Sequence, residues 1–124
     1  MDTTLTITKE KIQGQSHITV FHLSGWLDSQ IEERLLAEAR EAYNNGERFL
    51  LLDLANVEAL TSAGMRAIQK IYKLLTPAED QYKVAHVKLC NAPTQIHQIL
   101  GVTGFLQNIP NFDSIQDALA SFNE

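Results

Sequence analysis

The sequence predicts an α/β domain, in which about four helices pack on a mixed β-sheet of four to five strands. After a first pair of strands, segments with the apolar pattern of strands alternate with segments that have the pattern of helices. Residues 49–54 are almost uniformly apolar, which is typical of a strand covered on both faces in a parallel sheet. A length of 124 residues suits one core, so we expect a single domain over residues 1–124.

The strands are predicted from short apolar segments. Leu5 and Ile7 alternate with threonines, which is typical of a half-buried strand, and Gly14 lies in the expected turn after it. Residues 18–23 carry apolar side chains on both faces, so we expect this second strand near the centre of the sheet. The remaining strands are expected over residues 49–54 and 83–90 and, as a short edge strand, around residues 108–112.

The helices are predicted from apolar residues at helical spacing and from end signals. Two capping boxes are expected, pairing Ser29 with Glu32 and Asp113 with Gln116. Asn45-Gly46 is expected to end the first helix, since glycine tolerates the left-handed conformation there. The helices are therefore expected over residues 29–44, from 61–62 to 75, from 91–93 to 101, and from 113 onward.

Composition excludes several classes of function. The formal charge of −5, with no cluster of lysines and arginines, argues against nucleic acid as a partner. No apolar run approaches the roughly 20 residues of a membrane span, so we expect no membrane insertion. Residues 1–4 lack the basic start of a signal peptide, and the lone Cys90 fits a reducing compartment. These features predict a cytoplasmic protein.

A hydroxyl pair, Thr61 and Ser62, stands where a buried strand passes through a short loop into an amphipathic helix. One interpretation is a helix cap, in which a hydroxyl accepts a backbone N–H and stabilises the helix by about 1 kcal/mol. The other is a phosphorylation site, because a phosphate there would face the positive end of the helix dipole. The two interpretations are compatible.

Three nearby residues also have two interpretations each. Gly64 either packs closely against a neighbouring element or lets a partner approach the first helical turn, since a helical glycine costs up to about 1 kcal/mol. Asp28 is either a cap of the first helix or a partner contact. Trp26 either anchors an interface or folds back onto the core. Asp53, in an apolar strand, is expected to have a structural role with backbone N–H donors around it.

Catalytic motifs are not found in the sequence. The four histidines show no metal-ligand spacing, and Cys90 has no adjacent base, so it is expected to be a buried small side chain. There is no phosphate-binding loop, nucleophile elbow or dinucleotide-binding motif. We therefore expect no catalytic residue, no metal site and no bound cofactor.

Five segments, in order along the chain, are similar to the motifs of one known protein family. Residues 25–28 are similar to a Gly-Glu-Leu-Asp turn, and residues 52–57 to an Asp-Leu-Ser-x-Val strand end. Residues 60–65, Leu-Thr-Ser-Ala-Gly-Met, are similar to an Asp-Ser-Ser-Gly-Leu phosphorylation loop, and residues 87–91 and 99–105 look like a later strand and a Leu-x-x-x-Gly-Leu feature. Through these segments the chain resembles the STAS domain family of bacterial anti-sigma-factor antagonists.

The resemblance implies a phosphorylation switch at Ser62, which aligns with the family's phosphorylated serine. Thr61 replaces the expected aspartate and is itself a possible acceptor, while Ala63 replaces a serine. The implied partners are an anti-sigma factor of the serine/threonine-kinase type and a metal-dependent serine/threonine phosphatase. The implied docking surface consists of Trp26, Asp28, Gly64 and Met65.

Two other functions stay open from the sequence. Thr61 and Ala63 depart from the family pattern, which would suit a STAS scaffold without a switch, or an accessory subunit of a stress-signalling assembly or transporter. A small enzyme or ligand-binding domain on the same fold has no supporting motif.

Overall fold

A computed structural model describes residues 5–12, 18–80 and 85–122. Within these ranges, strands and helices alternate after a first strand pair, as the sequence predicts, and no helix is long and apolar enough to cross a membrane. The strands are β1 (Thr6–Lys11), β2 (Ile18–Leu27), β3 (Phe49–Leu60), β4 (Val87–Cys90) and β5 (Asn111–Phe112). The helices are α1 (Glu32–Asn44), α2 (Ser62–Leu75), α3 (Thr94–Val102) and α4 (Ile115–Ser121).

The five strands form one mixed sheet in the order β1-β2-β3-β4-β5. The edge strand β1 runs antiparallel to β2, and every later neighbouring pair is parallel. Parallel neighbours need crossover connections, and here α1, α2 and α3 lie between successive strands. The predicted fold class, an α/β domain with a mixed sheet and four helices, is confirmed.

The helices cover the two faces of the sheet unequally. Alternate strand residues such as Leu23 and Leu52 join one large core with α1, α2 and α3. The opposite face contributes Val20 and Leu51 to a smaller core under α4. Three helices therefore pack on one face and one on the other, which explains why the central strands are apolar on both faces.

Strands β2 and β3 are longer than the sequence predicts. They stay paired in parallel to their ends, where Leu27 lies opposite Leu60, with register shifts between His22 and Ser24 and between Gly25 and Trp26. The expected turn at residues 25–28 is therefore wrong for residues 25–27, which belong to β2, and the expected loop after residue 54 is wrong because β3 continues to Leu60. Glycine and polar residues are typical of turns, which is why the sequence predicts one here. In the structure these residues lie within the continuous pairing of β2 with β3, and Gly25 has a φ of 111°.

Neither predicted capping box forms. Helix α1 begins at Glu32 rather than Ser29, because the carboxylate of Asp28 accepts the backbone N–H of Gln30 and holds that segment in a turn. Helix α4 is capped by Ser114, whose hydroxyl accepts the backbone N–H of Asp117 at 3.1 Å. An Asp and a Ser lie next to each other before each of these two helices, so sequence spacing alone selects the wrong cap.

Two predictions fall partly outside the described residues. The predicted turn at Gly14 and residues 83–84, which begin the predicted fourth strand, lie outside the described residues. The strand itself begins at Val87, and Ala85 precedes it. The four residues of β4 are all buried, as expected for a strand between two layers.

Gly64 allows the first turn of α2 to lie directly on the end of β2. A methyl group built on Gly64 would overlap the Leu27 carbonyl oxygen and lie 2.9 Å from both the carbonyl carbon and Cβ of Leu27. Gly64 is buried, which supports the close-packing interpretation of this residue.

We predict that Gly64→Ala lowers the free energy of unfolding by about 1–3 kcal/mol, since overpacking against backbone outweighs the gain in helix propensity. Gly101→Ala is the matched control, because a methyl group there meets no atom within 4 Å. It should stabilise the protein by about 0.4–1 kcal/mol. Urea unfolding of both variants measures the two changes, and equal stabilisation by both would contradict the packing argument.

Candidate functional site at the junction of β3 and α2

Thr61 joins the end of β3 to the start of α2 and caps the helix. Its backbone is extended, with φ −106° and ψ 173°, and its hydroxyl accepts the backbone N–H of Gly64 at 3.3 Å. The same hydroxyl donates to the carbonyl oxygen of Leu27 at 3.2 Å, and the backbone N–H of Thr61 donates to that oxygen at 3.0 Å. Both hydrogen-bonding functions of this hydroxyl therefore serve the junction.

Ser62 is the first residue of α2, and it is exposed. The first-turn N–H groups of a helix have no acceptor within the helix and attract negative charge. A hydroxyl at this place is accessible to the active site of another protein. From the residues alone, either hydroxyl could cap the helix or accept a phosphate, whereas the structure assigns the cap to Thr61.

The side chains predicted to contact a partner lie in different environments. Trp26 is 41% exposed and pairs in the ladder with Ala59, two residues before Thr61. Asp28 is half-buried and holds the turn before α1. Met65 is half-buried, packs against the large core and lies 3.9 Å from the Thr103 hydroxyl. Trp26 is thus the predicted anchor with the most exposed surface.

A charged cluster on α1 and α2 was not predicted from the sequence. The carboxylate of Glu32 accepts Lys70 Nζ at 2.7 Å and Arg66 Nη2 at 3.4 Å. The hydrogen bond from Lys70, more than any other interaction, holds the pKa of Glu32 below its usual value. The sequence signal was present, because Ser62, Arg66 and Lys70 recur every four residues and share one face of a helix.

Hydrogen bonds of Asp53 connect β3 with β2 and with the residue that follows β4. One carboxylate oxygen lies 2.7 Å from His22 Nδ1, and the other accepts the Ala55 N–H and the Asn91 amide, each at 3.1 Å. His22 Nε2 in turn lies 2.9 Å from Glu10 on β1. The donors that surround Asp53 are thus mainly side chains rather than loop backbone, and Asp53 lies within β3 rather than at its end.

These contacts displace three pKa values. Burial opposes ionisation of Asp53, but hydrogen bonds from His22, Asn91 and Ala55 outweigh it and lower the pKa of this carboxyl. The hydrogen bond with Glu10, followed by that with Asp53, raises the pKa of His22 against the effect of burial. Burial, reinforced by the Asp53 charge, raises the pKa of the Cys90 thiol to about 12. This thiol is therefore protonated at neutral pH and is a poor nucleophile.

Asn91, whose side-chain amide donates to Asp53, has an uncommon backbone conformation. Its φ is 60°, in the left-handed region, which asparagine tolerates better than most side chains. This conformation follows β4 directly and presents the side chain to Asp53. Within the described residues, no group of three His, Cys, Asp or Glu side chains is arranged to hold a metal ion.

A model of the STAS domain family matches residues 9–118, and the chain belongs to this family. BtrV of Bordetella bronchiseptica, named as a candidate anti-sigma factor antagonist, is 28% identical over 116 residues, which cover 94% of this chain and 93% of that protein. The anti-sigma F factor antagonist of Paenibacillus polymyxa is 24% identical over 103 residues, covering 82% and 84%.

A solved structure shows the same fold. The crystal structure of an anti-sigma factor antagonist from Mycobacterium paratuberculosis matches with a TM-score of 0.81 at 20% identity, covering 100% of this chain and 98% of that one. The family resemblance inferred from the sequence motifs is therefore confirmed, and so is the architecture it implied.

The division of roles between the two hydroxyls predicts different effects on stability. Thr61→Ala should lower the free energy of unfolding by about 0.5–2 kcal/mol, because it removes the helix cap and the bond to Leu27. Ser62→Ala should change it by less than about 0.5 kcal/mol. Thr61→Ser keeps the hydroxyl and serves as control in the same urea titrations. Equal losses for Thr61→Ala and Ser62→Ala would refute the assignment.

The cluster around Asp53 predicts a pH dependence of stability. His22 has a raised pKa, so its contribution is full below its unfolded value near 6.5 and is lost as pH rises through the folded value. Asp53 has a lowered pKa, so its contribution is present above the unfolded value of 3.8 and is lost as pH falls through the folded value. The cluster therefore stabilises most between about pH 4 and 6.5.

Unfolding free energies measured from pH 5 to 8 test this prediction. The wild type should lose stability relative to His22→Gln as the pH rises, and Glu10→Gln should show a smaller loss than the wild type, because its His22 pKa is less raised. Parallel curves for the wild type and His22→Gln would show that the histidine does not carry the effect.

Proposed function

We propose that this protein is an anti-sigma-factor antagonist that binds an anti-sigma factor of the serine/threonine-kinase type and is switched off by phosphorylation of Ser62. The observation that carries the proposal is the exposure of Ser62 at the start of α2, while the neighbouring Thr61 hydroxyl is held in the cap. Membership of the STAS family supports it, as do the names of the two relatives.

The geometry favours Ser62 over Thr61 as the acceptor. Phosphate on Thr61 would remove the O–H that donates to Leu27 and would place two negative charges beside that carbonyl oxygen. On Ser62, the kinase would direct the hydroxyl oxygen to the γ-phosphorus of ATP, releasing ADP and passing the proton to a base of the kinase. No cap bond is broken in that reaction.

A phosphate on Ser62 would act on the partner rather than on the fold. It adds close to two negative charges at a helix N-terminus, where the helix dipole favours them. The same charge would oppose a partner docked over the exposed Trp26 and the neighbouring Asp28 and Met65. Exposed aromatic side chains commonly anchor interfaces, so Trp26 is the proposed anchor, while Gly64 contributes by bringing α2 against β2.

The chemistry of the switch would belong to the partners. ATP would be held by the kinase, and a metal-dependent serine/threonine phosphatase would restore the serine. This chain would then be a substrate, with no catalytic residue, cofactor or metal of its own. Since ATP-dependent signalling of this type takes place in the cytoplasm, we place the protein there.

A second candidate is a STAS scaffold that binds its partner constitutively, as a subunit of a stress-signalling assembly or a transporter. The specific observation in its favour is the loop itself, where Thr61 replaces an acidic residue of the family pattern and Ala63 is buried. A scaffold of this type would be indifferent to charge at Ser62.

Affinity capture from the source cells separates the two functions. Wild type and Ser62→Ala should retain a kinase-like anti-sigma factor. Ser62→Asp should capture at least 10-fold less of that protein, which corresponds to about 1.4 kcal/mol of binding free energy, because a charge enters the interface. Gln116→Glu is the matched control, since it adds one negative charge to the first turn of α4 on the opposite face of the sheet. Equal capture by all four baits would favour the scaffold.

A further inference from the structure

Arg66 lies one helical turn after Ser62 on the same face of α2. Residues four apart in a helix have Cβ atoms roughly 5–6 Å apart, within reach of an arginine and a phosphorylated serine. An acidic group placed four residues before a basic one is also the more favourable order along a helix. The Arg66 side chain is 55% exposed, so it is free to change its conformation.

Arg66 pairs with Glu32 when Ser62 is unmodified, and this is the longer of the two ion pairs that Glu32 makes. Arg66 Nη2 lies 3.4 Å from one Glu32 oxygen, whereas Lys70 Nζ lies 2.7 Å from the other. The hydrogen bond from Lys70 is also the largest influence on the Glu32 pKa. Glu32 would therefore keep a close cationic partner if Arg66 moved away.

A phosphate dianion is a stronger partner for arginine than an exposed carboxylate. The planar guanidinium group donates two parallel hydrogen bonds to phosphate oxygens, and the higher charge strengthens both. Lys70 is two turns from Ser62, roughly 12 Å along the helix axis, and is held by Glu32. Of the two cations that bind Glu32, only Arg66 is placed to reach a phosphate on Ser62.

We propose that Arg66 is the internal counter-ion of the phosphate on Ser62 and exchanges Glu32 for that phosphate when the serine is modified. This inference rests on the proposed function only for the identity of the modified residue. Phosphorylation then changes two features of the surface at once. It adds the phosphate, and it removes the Arg66 cation from the contact between α1 and α2. Lys70 then remains as the partner of Glu32.

The exchange is measurable without the kinase, in full-length protein carrying phosphoserine at position 62 through genetic code expansion. Titration by phosphorus NMR gives the second pKa of the phosphate, near 6 in an isolated phosphoserine. The phosphate pKa of the wild type should be lower than that of Arg66→Gln by about 0.2–0.4, which corresponds to an exposed ion pair four residues apart. Arg66→Lys should give an intermediate value, since lysine cannot pair in the same planar geometry.

Two further variants separate a specific pair from general electrostatics. Lys73→Gln removes one positive charge from the same helix three turns from Ser62 and should leave the phosphate pKa unchanged. Glu32→Gln removes the competing carboxylate and should lower the phosphate pKa further. Because Arg66 is exposed, its substitution should leave the fold intact, and circular dichroism of each variant verifies this.

The proposal is overturned if the wild type and Arg66→Gln have the same phosphate pKa, or if Arg66→Gln and Lys73→Gln raise it equally. These outcomes are independent of the proposed function, because the phosphoserine is installed directly. Conversely, capture that is indifferent to Ser62→Asp would refute the switch while leaving the measured pairing of Arg66 with the phosphate intact.

Discussion

The carbonyl oxygen of Leu27 is the point on which the candidate site depends. It lies at the end of β2 and accepts both the backbone N–H and the hydroxyl of Thr61, while Gly64 packs directly on the same residue. These contacts set where α2 begins and how close it lies to the sheet. Ser62, one residue later, is the first residue of α2 and is exposed. A side chain at position 64 or a missing hydroxyl at position 61 would disturb this placement.

A second constraint acts across the sheet rather than at its end. Asp53 binds His22 of the neighbouring strand and Asn91 after the next one, and His22 continues the chain of contacts to Glu10 on the edge strand. Four successive segments of the sheet are thereby connected by polar side chains. Because Asp53 alternates with the buried Leu52 and Leu54, the cluster lies on the face that carries α4. The small core there leaves room for polar groups that the larger core would exclude.

The separation of these two regions would let the proposed switch at Ser62 operate without unfolding the domain. The hydrogen bonds of Thr61 and Asp53 connect segments of the fold to one another, whereas the side chains of Ser62, Arg66 and Trp26 are exposed. A charge added at Ser62 would alter the surface that a partner contacts and would leave those hydrogen bonds unchanged. Marginal stability makes this arrangement useful, since a loss of a few kcal/mol in the junction would be a large share of the total.

The sequence by itself determined the α/β class, the order of strands and helices, the family, and the strand–helix junction that carries the hydroxyl pair, because apolar periodicity and local motifs encode these features. Only the tertiary structure decided which hydroxyl caps α2, since the deciding acceptor, Leu27, lies 34 residues from Thr61. Spacing along the chain likewise could not predict the pairing of His22 with Asp53, because the two residues are 31 positions apart. Strand lengths and caps also escaped prediction, because ladder pairing and competing side chains override local preference.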